Sequence, residues 1–329
     1  HLVLRAARLD DALVDVMIAG ARIAEIAPHA PERALPEGAR VIEAAGLAVL
    51  PGLVNAHTHT AMTMMRGYAD DMPLMPWLEE MIWPLEANLT DEDVYWGTRL
   101  GCLDMIRTGS TTFNDMYWHF DACARAVRDS GMRAQLAPAL IDGGDPAVGA
   151  KLRADYLAGA DRAADYGDRV RFALGPHAIY TASEATLRWV AEEAEARGLQ
   201  VHMHLSETEG EVQDCLQAHG VRPVAYLDRL GLLGPNLLLA HVVHLDDEEI
   251  ARLAEAGAHA LHNPVSNLKL ASGGPMRYRA MRAAGLNVAI GTDGCASNNS
   301  LDLFEDLKVA ALLAKHATGD PTCLPAAEA

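Results

Sequence analysis

The sequence lacks the features of several large protein classes. Its five cysteines are odd in number and never form a Cys-x-x-Cys pair. They predict neither a disulfide framework nor a thiolate zinc site, so any metal has to be held by histidine and carboxylate groups. No apolar run reaches the roughly 18 residues of a membrane span, and the start of the chain lacks the sections of a signal peptide. The expected compartment is the cytoplasm, with no membrane contact.

Positive charge is also scarce. The formal net charge is −18, which argues against a nucleic-acid partner held through its phosphates. Half of the residues are hydrophobic, so the chain can bury a substantial core. With 329 residues it is long enough for one large barrel domain and a small accessory piece. The expected partners are a small-molecule substrate and further copies of the chain in a homo-oligomer.

The sequence has two successive patterns of predicted secondary structure. Residues 1–46 predict short strands, with VDVMIAG and ARIAEIAP as the arms of a hairpin that turns at Gly20. Short apolar runs then alternate eight times with helical stretches, several of which end in glycine. The candidate strands are residues 47–59, 110–116, 132–141, 170–179, 199–207, 237–245, 259–267 and 286–293.

This alternation is most simply a parallel (β/α)8 barrel of the TIM type over residues 47–318. A doubly wound open sheet is the rival fold. It would require a glycine-rich phosphate loop after an early strand, and the sequence has none.

Polar residues gather at the carboxyl ends of these strands, where barrels of this type place their chemistry. His57 and His59 are two residues apart, so they point to the same face of the first strand and can hold one ion. In the fifth strand His204 is expected at the metal level and His202 one layer deeper, as a hydrogen-bonded core histidine. Glu207 lies just past that strand. Its alternative is a solvated glutamate in a first helical turn.

Two further strands end in the same way. His241 closes the sixth strand and fits an inward site, whereas His244 is expected on the other face. Asp293 ends the eighth strand, and a buried carboxylate there needs a partner. Its alternative is a helix N-cap. Taken together, three imidazoles and a carboxylate with an open position for water predict a catalytic site of the zinc type.

Five segments of the sequence resemble those of a known family. The segments PGLVNAHTHT, HMHLSETEGEV, LAHVVHLDDEEI, HNPVSNLKLASG and GTDGCASNNSLDLFEDLK are similar to those of the amidohydrolase superfamily. More narrowly, they resemble the methylthioadenosine/S-adenosylhomocysteine deaminase group, whose relatives include triazine hydrolases. The resemblance covers nearly the whole chain.

The resemblance implies a role for individual residues. The implied ligands of one divalent ion, with zinc expected, are His57, His59, His204 and Asp293. Glu207, His241 and Asp293 are implied to move protons, Glu207 to a ring nitrogen and the other two from water. His177 matches a substrate-contacting histidine, and Glu86 a glutamate that binds ribose hydroxyls. From the sequence alone Glu86 is more simply an exposed helix residue. No lysine lies in the fourth strand, where binuclear relatives use one to bridge two metals.

Two departures from the family pattern stand out. Relatives that accept S-adenosylhomocysteine carry arginines after the third strand, but here APALIDGGDPAVGA has no basic residue. Relatives also continue beyond the end of this chain and complete a small β-sandwich. Residues 1–46 are therefore expected to be part of such a sandwich, and residues 319–329 the start of a truncated C-terminal region. A natural chain is expected to be longer, and residues 1–329 alone to be poorly soluble or multimeric.

The expected function is metal-dependent hydrolytic deamination of methylthioadenosine, adenosine or 5′-deoxyadenosine to the inosine analogue and ammonia. One alternative is a deaminase or dechlorinase acting on a triazine-, guanine- or pterin-type heterocycle, because the same site would serve. The other is an inactive barrel with a role in assembly, which would be expected to show broken ligands.

Overall fold

The computed structural model describes residues 1–329, which divide into two compact units, His1–Gly52 and Leu53–Ala329. The strands of the first unit are β1 (Leu2–Leu9), β2 (Ala12–Ala19), β3 (Arg22–Pro28) and β4 (Arg40–Glu43). They form one sheet in the order β3-β2-β1-β4. β2 and β3 pair antiparallel and turn at Gly20, whose φ of 60° favours glycine. This is the hairpin that the sequence predicts.

The second unit contains ten further strands. They are β5 (Leu53–Thr58), β6 (Ser110–Met116), β7 (Arg133–Ala137), β8 (Ala139–Leu140), β9 (Val170–Phe172), β10 (Gly175–Pro176), β11 (Val201–Leu205), β12 (Leu237–His241), β13 (His259–His262) and β14 (Asn287–Ile290). β7 and β8 lie within the third candidate strand, and β9 and β10 within the fourth. Each of the eight candidate segments therefore contributes to the unit's sheets.

Helices connect the strands. They are α1 (Leu74–Pro76), α2 (Trp83–Glu86), α3 (Asp91–Arg107), α4 (Phe120–Ser130), α5 (Pro146–Arg162), α6 (Glu184–Arg197), α7 (Glu209–His219), α8 (Pro223–Arg229), α9 (Asp247–Ala256), α10 (Pro264–Lys269), α11 (Tyr278–Ala283), α12 (Cys295–Asn298) and α13 (Leu303–Thr318). Thr60–Met65 and Ala163–Tyr166 are 3₁₀ turns, and Trp77–Ile82 is π-helical. No helix is long and apolar enough to cross a membrane.

The strands of the second unit form a TIM-barrel-like ring. β5-β6-β7-β9 and β11-β12-β13-β14 are parallel sheets of four strands each, and β8 pairs with β10. A parallel bridge between Leu174 and Val201 joins the two sheets on one side. On the other side the N–H of Asp293 donates to the carbonyl of His57 at 2.9 Å. The carboxyl ends of β5 and β14 therefore meet directly.

The seventh predicted strand is a helix in its second half. The sequence predicts a strand over residues 259–267, but β13 ends at His262 and α10 begins at Pro264. Proline has no N–H to donate to a sheet and is well suited to the first turn of a helix. The segment HNPVSN therefore turns across the barrel mouth instead of continuing along its wall.

Helix α3 packs closely against the 3₁₀ turn that follows His59. A Cβ built on Gly97 in α3 would lie 2.5 Å from the carbonyl oxygen and 3.1 Å from the Cα of Ala61. These are backbone atoms of the 3₁₀ turn, so they cannot rotate away. We expect Gly97→Ala to destabilise the protein by ~1–3 kcal/mol, although alanine favours a helix by up to about 1 kcal/mol.

The midpoint of urea unfolding measures this effect. Gly274→Ala is a suitable control, because a Cβ at exposed Gly274 would have no atom within 4 Å. A Gly97→Ala protein as stable as the wild type would contradict the expected clash.

Candidate metal and active site

The site begins with the two histidines of the first barrel strand. His57 lies in β5 and His59 directly after it, and both rings point into the barrel mouth. The Nδ1 atom of His59 donates to the carbonyl of Met116 at 2.6 Å, and the Nδ1 atom of His204 donates to the carbonyl of His177 at 2.7 Å. A carbonyl can only accept, so in the neutral rings both Nε2 atoms keep their lone pairs.

These lone pairs face each other and a carboxylate. The Nε2 atoms of His59 and His204 are 3.3 Å apart. Asp293 Oδ1 lies 3.2 Å from Nε2 of His59 and 3.3 Å from Nε2 of His57. Nε2 of His57 is buried and has no hydrogen-bond partner. Lone pairs converging on one point repel each other unless a cation lies between them, so the donor set fits a divalent metal ion.

The protonation states suit metal binding. Burial lowers the pKa of His57, and burial with the charges of the neighbouring rings takes the pKa of His204 well below its usual range. Both rings are therefore neutral and can bind metal. Burial alone would raise the pKa of Asp293, but the imidazole of His57 at 3.3 Å and the other histidines around it hold the pKa well below its usual range. An ionised Asp293 is a suitable ligand for a cation.

Neighbouring side chains hold these ligands in place. Nδ1 of His57 lies 2.8 Å from Nε2 of His202, the deeper histidine of β11. Oδ2 of Asp293 accepts a 2.6 Å hydrogen bond from the hydroxyl of Ser266, and its Oδ1 accepts from the N–H of Gly294 at 2.9 Å. Such contacts fix the orientation of ligands in metal sites.

Glu207 and His241 lie beside this donor set. Both are buried, and Oε2 of Glu207 is 3.6 Å from Nε2 of His241. Burial, followed by the charges of Asp293 and Glu211, raises the pKa of Glu207 well above its usual range. Burial lowers the pKa of His241 to about 3. Burial thus favours the protonated form of the Glu207 carboxyl group and the neutral form of the His241 imidazole.

Glu86 and His177 line the same cavity. Glu86 is 8% exposed rather than an exposed helix residue, and its Oε1 atom has no hydrogen-bond partner. Burial raises the pKa of Glu86 to about 7. The ring of His177 lies 4.5 Å from that of His204, and its Nδ1 is 3.0 Å from the hydroxyl of Thr181. The structure therefore brings Glu86 and His177 to the same cavity as His59, His204, Glu207, His241 and Asp293.

The cavity itself is small and continues outward. It encloses about 50 Å³, which is room for one or two waters. An adjoining cleft of about 590 Å³ shares Trp83, Glu86, Tyr117 and Trp118 with it. These four residues therefore line the passage from the outer cleft to the donor set.

Some residues of the site were not identified from the sequence. Tyr117 and Trp118 follow β6 and line the cavity, but no polar motif marks them. Ser266 and Asn267 lie in the quoted segment HNPVSNLKLASG, which was a signal for them. The Nδ2 atom of Asn267 is 2.9 Å from Nδ1 of His241. Ser266 and Asn267 reach the site because a helix begins at Pro264, whereas the sequence predicted a continuous strand there.

Comparison with known proteins agrees with this geometry. Residues 48–329 match the model of the Amidohydrolase family, and the chain belongs to that family. It is 50% identical over 318 residues to a 5′-deoxyadenosine deaminase of Methanoregula boonei, covering 96% of this chain and 72% of the relative. It is also 50% identical over 302 residues to a 5-methylthioadenosine/S-adenosylhomocysteine deaminase of Moorella thermoacetica, covering 91% and 70%. The resemblance inferred from the sequence is confirmed.

Solved structures show the same architecture. A zinc-bound adenosine deaminase from Xanthomonas campestris superposes with a TM-score of 0.89 at 37% identity, covering 99% of this chain and 76% of the other. An atrazine chlorohydrolase from Arthrobacter aurescens, complexed with zinc, has a TM-score of 0.88 at 25% identity, covering 100% and 80%. The family and these structures support the expected metal dependence.

Proposed function

We propose that this chain catalyses the hydrolytic deamination of an adenosine-type nucleoside, releasing ammonia and the inosine analogue. The observation that carries the proposal is the buried carboxyl group of Glu207, which lies 3.6 Å from His241 beside the donor set and shares one cavity with Glu86, whose Oε1 atom has no hydrogen-bond partner. The relatives named as deaminases, at 50% identity, support the same reaction class.

The proposed ligands are His57, His59, His204 and Asp293, holding one ion, with zinc expected. A zinc ion bound there would act as a Lewis acid that lowers the pKa of water to about 7. The buried histidines contribute by staying neutral, and His202 and Ser266 contribute by keeping His57 and Asp293 aimed at one point.

The side chains then divide the proton transfers between them. Water adds to the ring carbon that carries the amino group, and Asp293 and His241 orient it and accept its proton. Glu207 donates its proton to the adjacent ring nitrogen, so that the ring can accept the electron pair of the new C–O bond. The proton taken from water passes to the amino group, and the C–N bond breaks to release ammonia. The proton of the new hydroxyl group returns to Glu207 as the C=O bond of the inosine analogue forms. General acid–base catalysis of this kind contributes about 10²–10⁴-fold.

The outer cleft bears on the choice of substrate. Its lining residues are Trp83, Glu86, Ala87, Leu89, Tyr117, Trp118, His119 and Ile141, with no lysine or arginine among them. An apolar 5′ end, as in 5′-deoxyadenosine or methylthioadenosine, is compatible with this lining. The charged amino-acid tail of S-adenosylhomocysteine would have no cation to pair with there, and an unpaired charge in an apolar cleft is costly.

Substitution of Glu86 tests the proposed nucleoside specificity. Glu86 is proposed to accept hydrogen bonds from ribose hydroxyls, and bonds to a charged group contribute about 1.5–3 kcal/mol. Glu86→Ala should therefore lower kcat/KM for 5′-deoxyadenosine about 10- to 100-fold. Free adenine, which has no ribose, should be a poor substrate for both proteins. We further expect 5′-deoxyadenosine to exceed S-adenosylhomocysteine in kcat/KM.

Steady-state ammonia release measures these values. Glu80→Ala removes an exposed carboxylate from the preceding π-helical turn and should leave them unchanged. Unaltered nucleoside turnover in Glu86→Ala would reject the ribose contact and favour a triazine- or pterin-type substrate. If S-adenosylhomocysteine were the best substrate, the inference from the missing cations would be wrong.

A further inference from the structure

A second buried carboxylate lies behind Glu207 and has no part in the reaction described above. Glu211 is in the first turn of α7 and is 7% exposed. It is absent from the lining of the catalytic cavity, whereas Glu207 is part of that lining. Buried carboxylates are rare unless their oxygens are hydrogen-bonded, so Glu211 requires a structural reason.

The reason is the turn between β11 and α7. Its first residue, Ser206, has a φ of 50°, a left-handed conformation that is unfavourable for any residue other than glycine. Oε2 of Glu211 accepts a 2.9 Å hydrogen bond from the N–H of Glu207, the next residue. In return the N–H of Glu211 donates to the hydroxyl of Thr208 at 3.1 Å. The two bonds close the turn from both sides.

This arrangement differs from the other helix starts of the chain. In α3 and α9 a capping box is present, in which the third helical residue bonds the N–H of the N-cap itself. Glu211 occupies the same third position of α7, but its Oε2 atom bonds the N–H of Glu207, one residue before N-cap Thr208. The residue bonded in this way is the one whose side chain faces the cavity.

Charge supports the same interpretation. Burial raises the pKa of Glu211 to about 7, and the hydrogen bond that the N–H of Glu207 donates to Oε2 opposes this rise. The backbone of the turn thus favours the carboxylate form of Glu211. The turn and this carboxylate stabilise each other.

We propose that Glu211 is a positioning residue, which holds the strained Ser206–Glu207 turn so that the carboxyl group of Glu207 reaches the reacting ring. The inference rests on the proposed function, because it takes Glu207 to be the proton donor. A displacement of about 1 Å in a catalytic group can cost roughly 10²-fold in rate. Loss of the Glu211 side chain should therefore lower kcat much more than it weakens substrate binding.

The test compares three variants with the wild type. Glu211→Ala removes the acceptor, and we expect kcat to fall roughly 10²-fold with KM and metal content nearly unchanged. Glu211→Gln keeps an acceptor oxygen at the same distance and should recover most of that loss. Asp93→Ala is the matched control, because it removes the carboxylate of the capping box of α3, far along the chain from the turn. It should leave kcat unchanged.

Each outcome decides the matter. Wild-type kcat in Glu211→Ala overturns the proposal, and so does a Glu211→Gln enzyme as slow as Glu211→Ala, since the hydrogen bond would then not be the cause. Equal losses of kcat, metal and thermal stability in both variants would indicate a structural role only. If Glu211→Ala does not fold, Glu211→Asp replaces it. Its shorter carboxylate cannot reach the N–H of Glu207, so it should be as slow as predicted for alanine.

A crystal structure of each variant separates this inference from the proposed function. If the wild type has no deaminase activity, the proposed function fails, but the position of Glu207 still tests the role of Glu211. We expect the turn at Ser206 to be displaced in Glu211→Ala and retained in Glu211→Gln. An unmoved turn in Glu211→Ala would overturn the proposal whatever the substrate.

Discussion

Replacing Glu207 with glutamine is expected to lower kcat by about 10²–10⁴-fold while the protein keeps its metal. Burial, together with the charges of Asp293 and Glu211, raises the pKa of Glu207 well above its usual range, which favours the protonated form that an acid catalyst requires. Glutamine has nearly the same shape but cannot donate a proton to a ring nitrogen as an acid. The donor set around Asp293 is untouched by the change.

Ammonia release and metal content, measured on the same samples, test this expectation. Glu209→Gln changes an exposed glutamate two residues further on and should behave as the wild type. Since a loss of acid catalysis affects the chemical step, KM for the nucleoside should change much less than kcat. Near-normal turnover in Glu207→Gln would show that another group supplies the proton.

The sequence was sufficient to predict those parts of the site that depend on a regular repeat. Strand side chains alternate between two faces, so His57 and His59 had to share one. Carboxyl ends of parallel strands lie on one side of a barrel, so His204, His241 and Asp293 had to be close to them. Short-range periodicity thus accounts for the barrel and for the convergence of its ligands.

Other features of the site depend on contacts between segments that are far apart in the sequence. The periodicity of the sequence does not predict such contacts. The contact of His202 with His57 joins strands that are not neighbours in the barrel. The burial of Glu86 depends on how its irregular segment folds over the cavity, and the sequence alone favoured exposure. The position of Ser266 depends on the helix that begins at Pro264. The β-sandwich expected for residues 1–46 stays a prediction.

His241 lies close enough to the donor set to be either a metal ligand or a proton carrier. His57, His204 and His241 offer nitrogen atoms that all lie within 4.8 Å of one another, and His57, His59 and Asp293 form a second such group. Geometry alone therefore admits His241 as a ligand. The contact between its Nε2 atom and Oε2 of Glu207, at 3.6 Å, instead favours a role in proton transfer.

Two alanine variants distinguish these roles. His204→Ala should lose the metal and all measurable activity. The Nε2 atom of His204, which lies 3.3 Å from that of His59, carries one of the lone pairs that are proposed to bind the ion. His241→Ala should retain one equivalent of metal and still lose most of kcat. An ion that binds only the folded chain stabilises it by about 4 kcal/mol at 1,000 times its Kd. Chelation should therefore lower the Tm of the wild type and of His241→Ala, but not that of His204→Ala.

Metal analysis and thermal unfolding with and without a chelator measure these differences independently of activity. A His241→Ala protein without metal, whose Tm no longer responds to the chelator, would make His241 a ligand and leave Asp293 as the proton acceptor. Two equivalents of metal in the wild type would contradict a site for one ion. That expectation rests on the close contacts of Asp293 with His57 and His59 and of His59 with His204, and on the absence of a lysine from the fourth strand segment. Full activity after complete removal of the metal would reject metal-dependent deamination itself, because water would then be activated without a Lewis acid.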